Sequence, residues 1–487
     1  WNRYPGARCD VESMEYSYGF DDELQQEWEW TERYAPQPEI EAYANHVADR
    51  YDLRKDITFN TRVTSAHFDD ATNTWTVTTD GAETITSTFV VFATGCLSAA
   101  NMPEIDGRDT FAGQTIHTGM WPKEYPDFTG KRVAVIGTGS SAIQSIPIIA
   151  EQCADLTVFQ RTATYAVPAW NQKLHPEFVS DIKSTYGEFR AANRTMGAAF
   201  GSRLTPGTDQ MLFDVPEEER RAELDRRWEG GGLAFLGGFL DVLLTPEANE
   251  YVAEYVREKI REQVKDPVVA ETLSPKQVIG CKRLVVDTDY YVTFNRDNVH
   301  LVDLQKTPIK AITPTGIETV EESYEFDVII YATGFDAMTG ALMRVDIRGR
   351  NGEPLKDAWA AGPRTYLGLG VVGFPNMFTI TGPGSPSVLT NMMVSIQQHV
   401  EWIGDCVAYL RDNDLATIEA TLPAQDNWVE YVNSIAAFTL FPTCNSWYLG
   451  ANVPGKTRVF MPLLGYPPYE EMCTNVAANN YEGFALA

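Results

Sequence analysis

Along residues 74 to 95 the order of apolar and polar positions predicts a hairpin running into a buried strand. TWTVTTDGAETITSTFVVFATG alternates, turns at Asp80-Gly81, alternates again, and becomes a continuous apolar run that stops at Ala93-Thr94-Gly95. Residues 311 to 335, AITPTGIETVEESYEFDVIIYATGF, repeat the arrangement and stop at Ala332-Thr333-Gly334. Alternation marks strands with one face covered, a continuous apolar run marks a strand covered on both faces, and Asp-Gly marks a tight turn. Two such units in one chain predict two related nucleotide-binding units. Between them, roughly from 175 to 278, the spacing becomes helical. The segments EEERRAELDRRWEGG and NEYVAEYVREKIREQVKDP carry mixed charge and end at Gly or Pro, which predicts an inserted helical cap with a solvated face. Beyond 385 the pattern predicts a helix over about 387–411, a turn at Asp412-Asn413-Asp414, another helix, and an aromatic-rich irregular tail. Helical and extended segments alternate throughout, so the fold class is α/β.

The densest local motif lies in the middle of this pattern. Lys131-Arg-Val-Ala-Val-Ile predicts a buried strand, and Gly137-Thr138-Gly139-Ser140-Ser141-Ala142 follows it directly, opening a helix-compatible run to Ala150. A second strand, Leu156 to Phe159, arrives where a βαβ unit requires it. In this G-x-G-x-x-[G/A] arrangement Gly137 makes the tight turn, Gly139 lets the backbone approach a pyrophosphate, and Ala142 keeps the helix close to the sheet. The helix start adds free N–H groups and the positive end of its dipole. Thr138 to Gln144, including Ile143, form the expected pyrophosphate cradle. An NAD-binding unit would place Asp or Glu at the end of the second strand, for the ribose 2′-hydroxyl. Gln160-Arg161-Thr162 stands there instead, and a cation beside a hydroxyl suits a 2′-phosphate, so NADP(H) is the expected dinucleotide.

Composition narrows the partners. The chain has 487 residues, 44% hydrophobic and 22% charged, as a folded globular protein should. Its 39 Lys+Arg against 67 Asp+Glu leave a net charge of -28, which disfavours nucleic acid and anionic membrane surfaces. No apolar run approaches the ~18 residues of a membrane span. The seven cysteines, Cys9, Cys96, Cys153, Cys281, Cys406, Cys444 and Cys473, are scattered without a C-x-x-C pair. They are expected to be reduced thiols of a cytoplasmic enzyme, with no disulfide framework and no metal site.

A cluster upstream of the glycine motif, Phe111-Ala-Gly113-Gln-Thr-Ile-His117-Thr-Gly-Met-Trp121-Pro122, reads physically as a linker of aromatic anchors and glycines between the Ala93-Thr94-Gly95 corner and the strand at Val133. Phe111, Gly113, His117, Trp121 and Pro122 also reproduce the F-x-G-x-x-x-H-x-x-x-W-[P/D] fingerprint of type I Baeyer–Villiger monooxygenases. The opening WNRYPGARCD, the run Cys281-Lys282-Arg283-Leu284, and Ser446-Trp447-Tyr448 leading into Gly450-Ala-Asn-Val-Pro-Gly455-Lys456 match the same family. The chain resembles the phenylacetone and cyclohexanone monooxygenase group from Trp1 nearly to its end.

That resemblance implies two Rossmann-like dinucleotide-binding domains of flavin monooxygenase type. Residues 1–95 and 333–487 would form the FAD-binding domain, 104–167 and 279–332 the NADP-binding domain, and 168–278 the helical insertion. It implies conversion of ketones to esters or lactones with FAD, NADPH and O₂ through a C4a-peroxyflavin. Such chemistry needs a fixed cation beside the reacting anion in a water-poor pocket. Arg283 is the expected cation, because a guanidinium stabilises an anion without surrendering its proton, and Asp10 is its expected carboxylate partner. Lys282, Arg161 and Thr162 would grip the 2′-phosphate. Trp447 would line the nicotinamide-ribose side on a mobile loop. Arg8, Cys9, Asp10, Tyr16, Val63 and Met392 would contact the flavin, and His117 would relay conformation rather than act as acid or base. Gly382-Pro-Gly384-Ser-Pro-Ser387 is either a wall of the substrate pocket or a plain turn into the helix after it.

Members of this family begin with an FAD-binding βαβ unit, absent ahead of Trp1. A missing stretch longer than the ~30 residues of such a unit is therefore expected. Three other readings stay open: oxidation of nitrogen or sulfur by the same chemistry, an inactive NADP-binding fragment, and an NADPH–disulfide reductase, the last disfavoured by the lack of C-x-x-C or C-x₄-C. A monomer is expected.

Overall fold

A computed structural model describes residues 2–204, 207–451, 455 and 461–487. Trp1 and most of the run from Asn452 to Lys456 fall outside the described residues. The centre of the molecule is a five-stranded parallel sheet with spatial order 299–303, 155–160, 132–136, 328–331, 114–117. Its inner strands are apolar throughout, Val133 to Ile136 and Val328 to Tyr331 being buried, because a parallel sheet is covered on both faces. The expected glycine motif leaves the central strand Arg132–Ile136 and opens the helix Ser140–Gln152. Asp155–Gln160 then returns beside the first strand, as a βαβ unit requires.

The two hairpin units form as expected and then diverge. Thr74–Thr79 and Thr84–Ser87 pair antiparallel, and Ile309–Thr313, Gly316–Thr319 and Ser323–Glu325 form a second antiparallel meander. The strand after the second, Val328–Tyr331, lies inside the five-stranded sheet. The strand after the first, Val90–Phe92, pairs only with Met377–Thr379 among the described residues, and Val91 is 45% exposed. The expectation of a buried strand there holds for Phe92 alone. An apolar run is buried only if strands or helices cover both its faces, which its own sequence cannot arrange.

The inserted helices Pro176–Ser184, Tyr186–Arg194, Glu217–Gly230, Pro246–Gln263 and Pro267–Leu273 form within the predicted block. Their apolar stripe does not make a separate core. Leu224, Val252, Val256 and Ile260 share one cluster with Ile143, Ile149 and Val158 of the βαβ unit. The insertion is therefore fastened to the helix face of the parallel sheet. The long late helix runs Met392–Asp412, capped by the Asn391 side chain on the Met393 N–H. The tail is more regular than its composition implies. Tyr466–Ala478 is a helix that buries Tyr466, Tyr469 and Cys473 on one stripe, and Phe484–Leu486 pairs with Ile418–Ala420. No helix among the described residues is long and apolar enough to cross a membrane.

Candidate active site

The glycine turn sits at the carboxyl end of the central strand, between its two neighbours, where open α/β sheets place nucleotides. Gly137 has φ +113°, and a Cβ there would lie 2.5 Å from the Ala332 carbonyl oxygen, so both the backbone and the neighbouring strand demand glycine. Gly139 is different: a Cβ there would meet no protein atom within 4 Å. The protein leaves that space open, and Gly139 and Ser140 are exposed at the start of the helix. Thr138 is buried and donates from Oγ1 to the Thr162 carbonyl at 2.8 Å, tying the turn to the end of the second strand. Ser141 Oγ and Thr118 Oγ1 are 2.9 Å apart. Ala142 and Ile143 are fully buried against the sheet. Gln144 does not face the turn: its side chain accepts from Tyr4 Oη at 2.9 Å and donates to the Arg8 carbonyl at 3.2 Å, fastening the opening segment to the helix.

Arg161 is exposed at the end of the second strand, and Lys282 is half-buried close enough to feel its charge. Burial lowers the Lys282 pKa, and the Arg161 guanidinium lowers it further. Two cations held near each other lose energy unless an anion joins them. The two cations lie near the end of the second strand, where an anion would relieve their repulsion.

Lys282 hands directly on to Arg283, the most firmly held cation of the second region. Arg283 Nε donates to Asp10 Oδ2 at 2.5 Å and Nη2 to Asp10 Oδ1 at 3.0 Å, a two-pronged pair spanning 273 residues of sequence. Nη1 donates to the Val388 carbonyl at 2.8 Å. Burial works against the guanidinium's charge, but the Asp10 carboxylate more than offsets it, so its pKa lies above the ordinary value. The side chain still keeps 20% of its exposure. Tyr16 feels the charges of both Asp10 and Arg283, and burial foremost pushes its phenol pKa well up. Tyr448 is buried in the field of Arg283. Trp447 packs edge-on against Tyr448 with ring centroids 4.4 Å apart. Cys96, Val388, Met392, Trp447 and Tyr448 belong to one apolar cluster.

The fingerprint flanks the edge strand Gln114–His117. Gly113 is required by space, since a Cβ would lie 2.6 Å from the Phe111 ring and from the Asp327 carbonyl oxygen. Trp121 is buried against Phe128, while Pro122 is half-exposed. His117 is 3% exposed, and burial lowers its pKa. Its Nδ1 accepts from the Gly119 N–H at 3.0 Å, which puts the proton of the neutral ring on Nε2, facing Thr333 Oγ1 at 3.3 Å. Thr333 Oγ1 donates in turn to the Asn101 carbonyl at 2.7 Å. A neutral histidine therefore braces the second Ala-Thr-Gly corner.

Several expected contacts lie elsewhere. Arg8 pairs with Glu32 and donates to the Tyr34 carbonyl, and Cys9 Sγ turns to the Ala35 carbonyl at 3.5 Å, so both side chains fasten the opening loop. Val63 starts an exposed strand and is 36% exposed, outside the cluster around Arg283. The expectation of seven reduced thiols fails at one pair: Cys281 and Cys444 form a disulfide across 163 residues. Sequence spacing gives no hint of it, because only the fold brings the two segments together. Cys9, Cys96, Cys153, Cys406 and Cys473 are unpaired. Sequence reasoning also missed the Val388 carbonyl. Its signal is the Gly382–Ser387 loop, where Thr381 and Ser387 take φ of 49° and 45°, conformations that non-glycine residues adopt rarely. Val388 follows that loop directly, and its carbonyl accepts from Arg283.

Residues 18–205 match the pyridine nucleotide-disulphide oxidoreductase family. A Baeyer–Villiger monooxygenase of Pseudooceanicola batsensis is 42% identical over 95% of this chain and 84% of its own length. A solved steroid monooxygenase bound to NADP is 52% identical, with a TM-score of 0.95 over all of this chain and 91% of the other. The solved complex of OTEMO with FAD and NADP is 44% identical, with a TM-score of 0.96 over all of this chain and 92% of the other.

Proposed function

The chain belongs to the Baeyer–Villiger monooxygenases, and from that premise we propose that Arg283, held by Asp10 and Val388, is the cation that carries ketone oxidation in it. The enzyme is an NADPH-dependent flavin monooxygenase that converts ketones to esters or lactones. When bound, FAD with NADPH would supply the reducing equivalents and the activation of O₂. The observation that carries the assignment of Arg283 is a permanent charge held by three hydrogen bonds to Asp10 and the Val388 carbonyl, with Val388 in the apolar cluster of Met392, Trp447 and Tyr448.

Each residue's part follows from its surroundings. Asp10 fixes the plane of the guanidinium, because a two-pronged pair holds orientation as well as charge. Arg283 then stabilises the negative charge that develops on the substrate carbonyl oxygen, without giving up a proton. Trp447, Tyr448 and Met392 exclude water around that charge, which strengthens it. They also present flat, polarisable surfaces that fit an isoalloxazine ring. The open space over Gly139 and the exposed helix start fit the pyrophosphate of NADPH, and Arg161 with Lys282 fits its 2′-phosphate. His117, neutral and bonded on both nitrogens, acts as a brace between the fingerprint strand and the Thr333 corner. We read residues 104–167 and 279–332, around the five-stranded sheet, as the NADP-binding unit, 168–278 as the insertion, and 1–95 with 333–487 as the FAD-binding unit.

The partners read as a small ketone and O₂, with the enzyme working as a monomer in the cytoplasm. Five unpaired cysteines support a reducing compartment, whereas the Cys281–Cys444 pair does not. The deciding assay supplies NADPH and FAD with a cyclic ketone in one vessel and a tertiary amine in another. Lactone from the ketone is the expected product. Amine oxide with no lactone would replace the reading with heteroatom oxidation.

A further inference from the structure

The Cys281–Cys444 disulfide joins the two segments that the proposed function needs most. Cys281 immediately precedes Lys282 and Arg283, and Cys444 lies three residues before Trp447. Both sulfurs are buried, at 2% and 3% exposure, in a small cluster with Leu449 and the half-buried Val278. The backbone from 443 to 451 forms local turns that reach back to Leu440 and Phe441. Cys444 donates to Phe441, Leu449 and Ala451 to Ser446, and Gly450 to Trp447. The Trp447 segment is thus a run of short turns joined to the Arg283 segment by one covalent bond, with Tyr448 packed beside Val388 and hydrogen-bonded to Arg283 as well.

The remaining thiols are poor competitors for oxidation. Burial pushes Cys9, Cys406 and Cys473 up to about 12 and Cys153 to about 11, and it raises Cys96 as well. A thiolate is the reactive form, and Cys281 and Cys444 are likewise buried; what sets that pair apart is that each has a second sulfur at hand to complete a disulfide. None has a second cysteine bonded to it.

We propose that Cys281 and Cys444 are a reversible dithiol–disulfide clasp that controls whether the Trp447 segment can move away from Arg283; this rests on the reading that both line the reaction site. The oxidant is hydrogen peroxide. One thiolate attacks a peroxide oxygen, forming a sulfenic acid, and the departing hydroxide takes a proton to become water. The second thiol then displaces the sulfenic hydroxyl as a second water, forming the S–S bond. Overall, two thiols and one peroxide give one disulfide and two waters. In reverse, an external dithiol attacks one sulfur, the other leaves as thiolate and is protonated, and the second external thiol completes the exchange, leaving the reductant oxidised. Oxidised, the clasp holds Trp447 over the pocket and keeps water out. Reduced, the segment opens, and uncoupled peroxide release rises at the expense of ester.

Two measurements on the full-length, FAD-loaded enzyme test this. After alkylation under denaturing conditions, the peroxide-treated enzyme should show two thiols fewer than the dithiothreitol-treated one, with peptide mapping placing the loss at Cys281 and Cys444. In steady state, reduction should raise peroxide released per NADPH severalfold. Cys281→Ser and Cys444→Ser should each reproduce the reduced behaviour and no longer respond to either reagent. Full alkylation of both cysteines after peroxide treatment overturns the clasp. A disulfide that forms while coupling and KM for NADPH stay the same in both states overturns its control of the segment. If neither state makes ester, the proposed function fails, while the thiol count still decides the clasp.

Discussion

The nucleotide cradle and the Arg283 centre are built by opposite means. The cradle is local: a strand, a glycine turn and a helix, Arg132 to Gln152, whose backbone turn leaves space over Gly139. The Arg283 centre draws Asp10, Arg283, Val388 and Tyr448 from four distant parts of the chain, and side chains do the work. A local site survives changes elsewhere, because its geometry is held by its own hydrogen bonds. An assembled site depends on every element that carries a member. The disulfide and the bond from Asn391 Nδ2 to the Glu15 carbonyl belong to the second kind, and each fixes a segment that sequence proximity does not.

The sharpest break between the two regions is Arg283→Ala. It should lower lactone formation by about 10²–10³-fold, the usual loss for one stabilising contact of this sort, while flavin reduction by NADPH persists. Stopped-flow flavin bleaching beside product analysis checks this, and equal losses in both would mean the residue serves nucleotide binding instead. Next, Gly137→Ala and Gly139→Ala separate fold from ligand within the cradle. The first drives a Cβ to within 2.5 Å of the Ala332 carbonyl oxygen and should lower Tm markedly. The second meets no protein atom and should leave Tm alone while raising KM for NADPH.

Arg161→Ala should raise KM for NADPH about 10- to 100-fold, the weight of a charge-assisted hydrogen bond, with little change for NADH. An equal effect on both coenzymes would remove the 2′-phosphate assignment. The smallest expected effect concerns stability. Burial, reinforced by the Glu12 charge, raises the Glu15 carboxyl to about 8. The folded chain therefore keeps a proton that the unfolded chain sheds above 4.5, and Glu15 costs stability progressively as pH climbs from there to about 8. Glu15→Gln should leave Tm unchanged near pH 4 and raise it by a few degrees near pH 8. A scanning-calorimetry series across that range reads the slope, and a gain that does not grow with pH would argue against a protonated Glu15.

Much of this was legible beforehand. The glycine motif, the hairpins and the mixed-charge helices could be read because each is a short-range pattern whose period reports its own geometry. The Asp10–Arg283 pair was legible only through the family resemblance, and the structure then placed its two members in contact. For Val63 and Gln144 the surroundings came only from the structure. Each sits as its own neighbours dictate, on an exposed strand and against Tyr4 and Arg8. In the aromatic tail, Tyr466, Tyr469 and Cys473 carry helical spacing, but aromatic density masked it.

By itself, the sequence determined the α/β class, the dinucleotide turn and the preference for a phosphorylated ribose, since steric rules and charge at adjacent residues suffice for these. Only the tertiary structure decided that Val91 stays exposed, that Val388 aims a carbonyl at Arg283, and that Cys281 meets Cys444. Those outcomes depend on which distant elements come to lie side by side, and packing sets that over hundreds of residues where no local period can encode it.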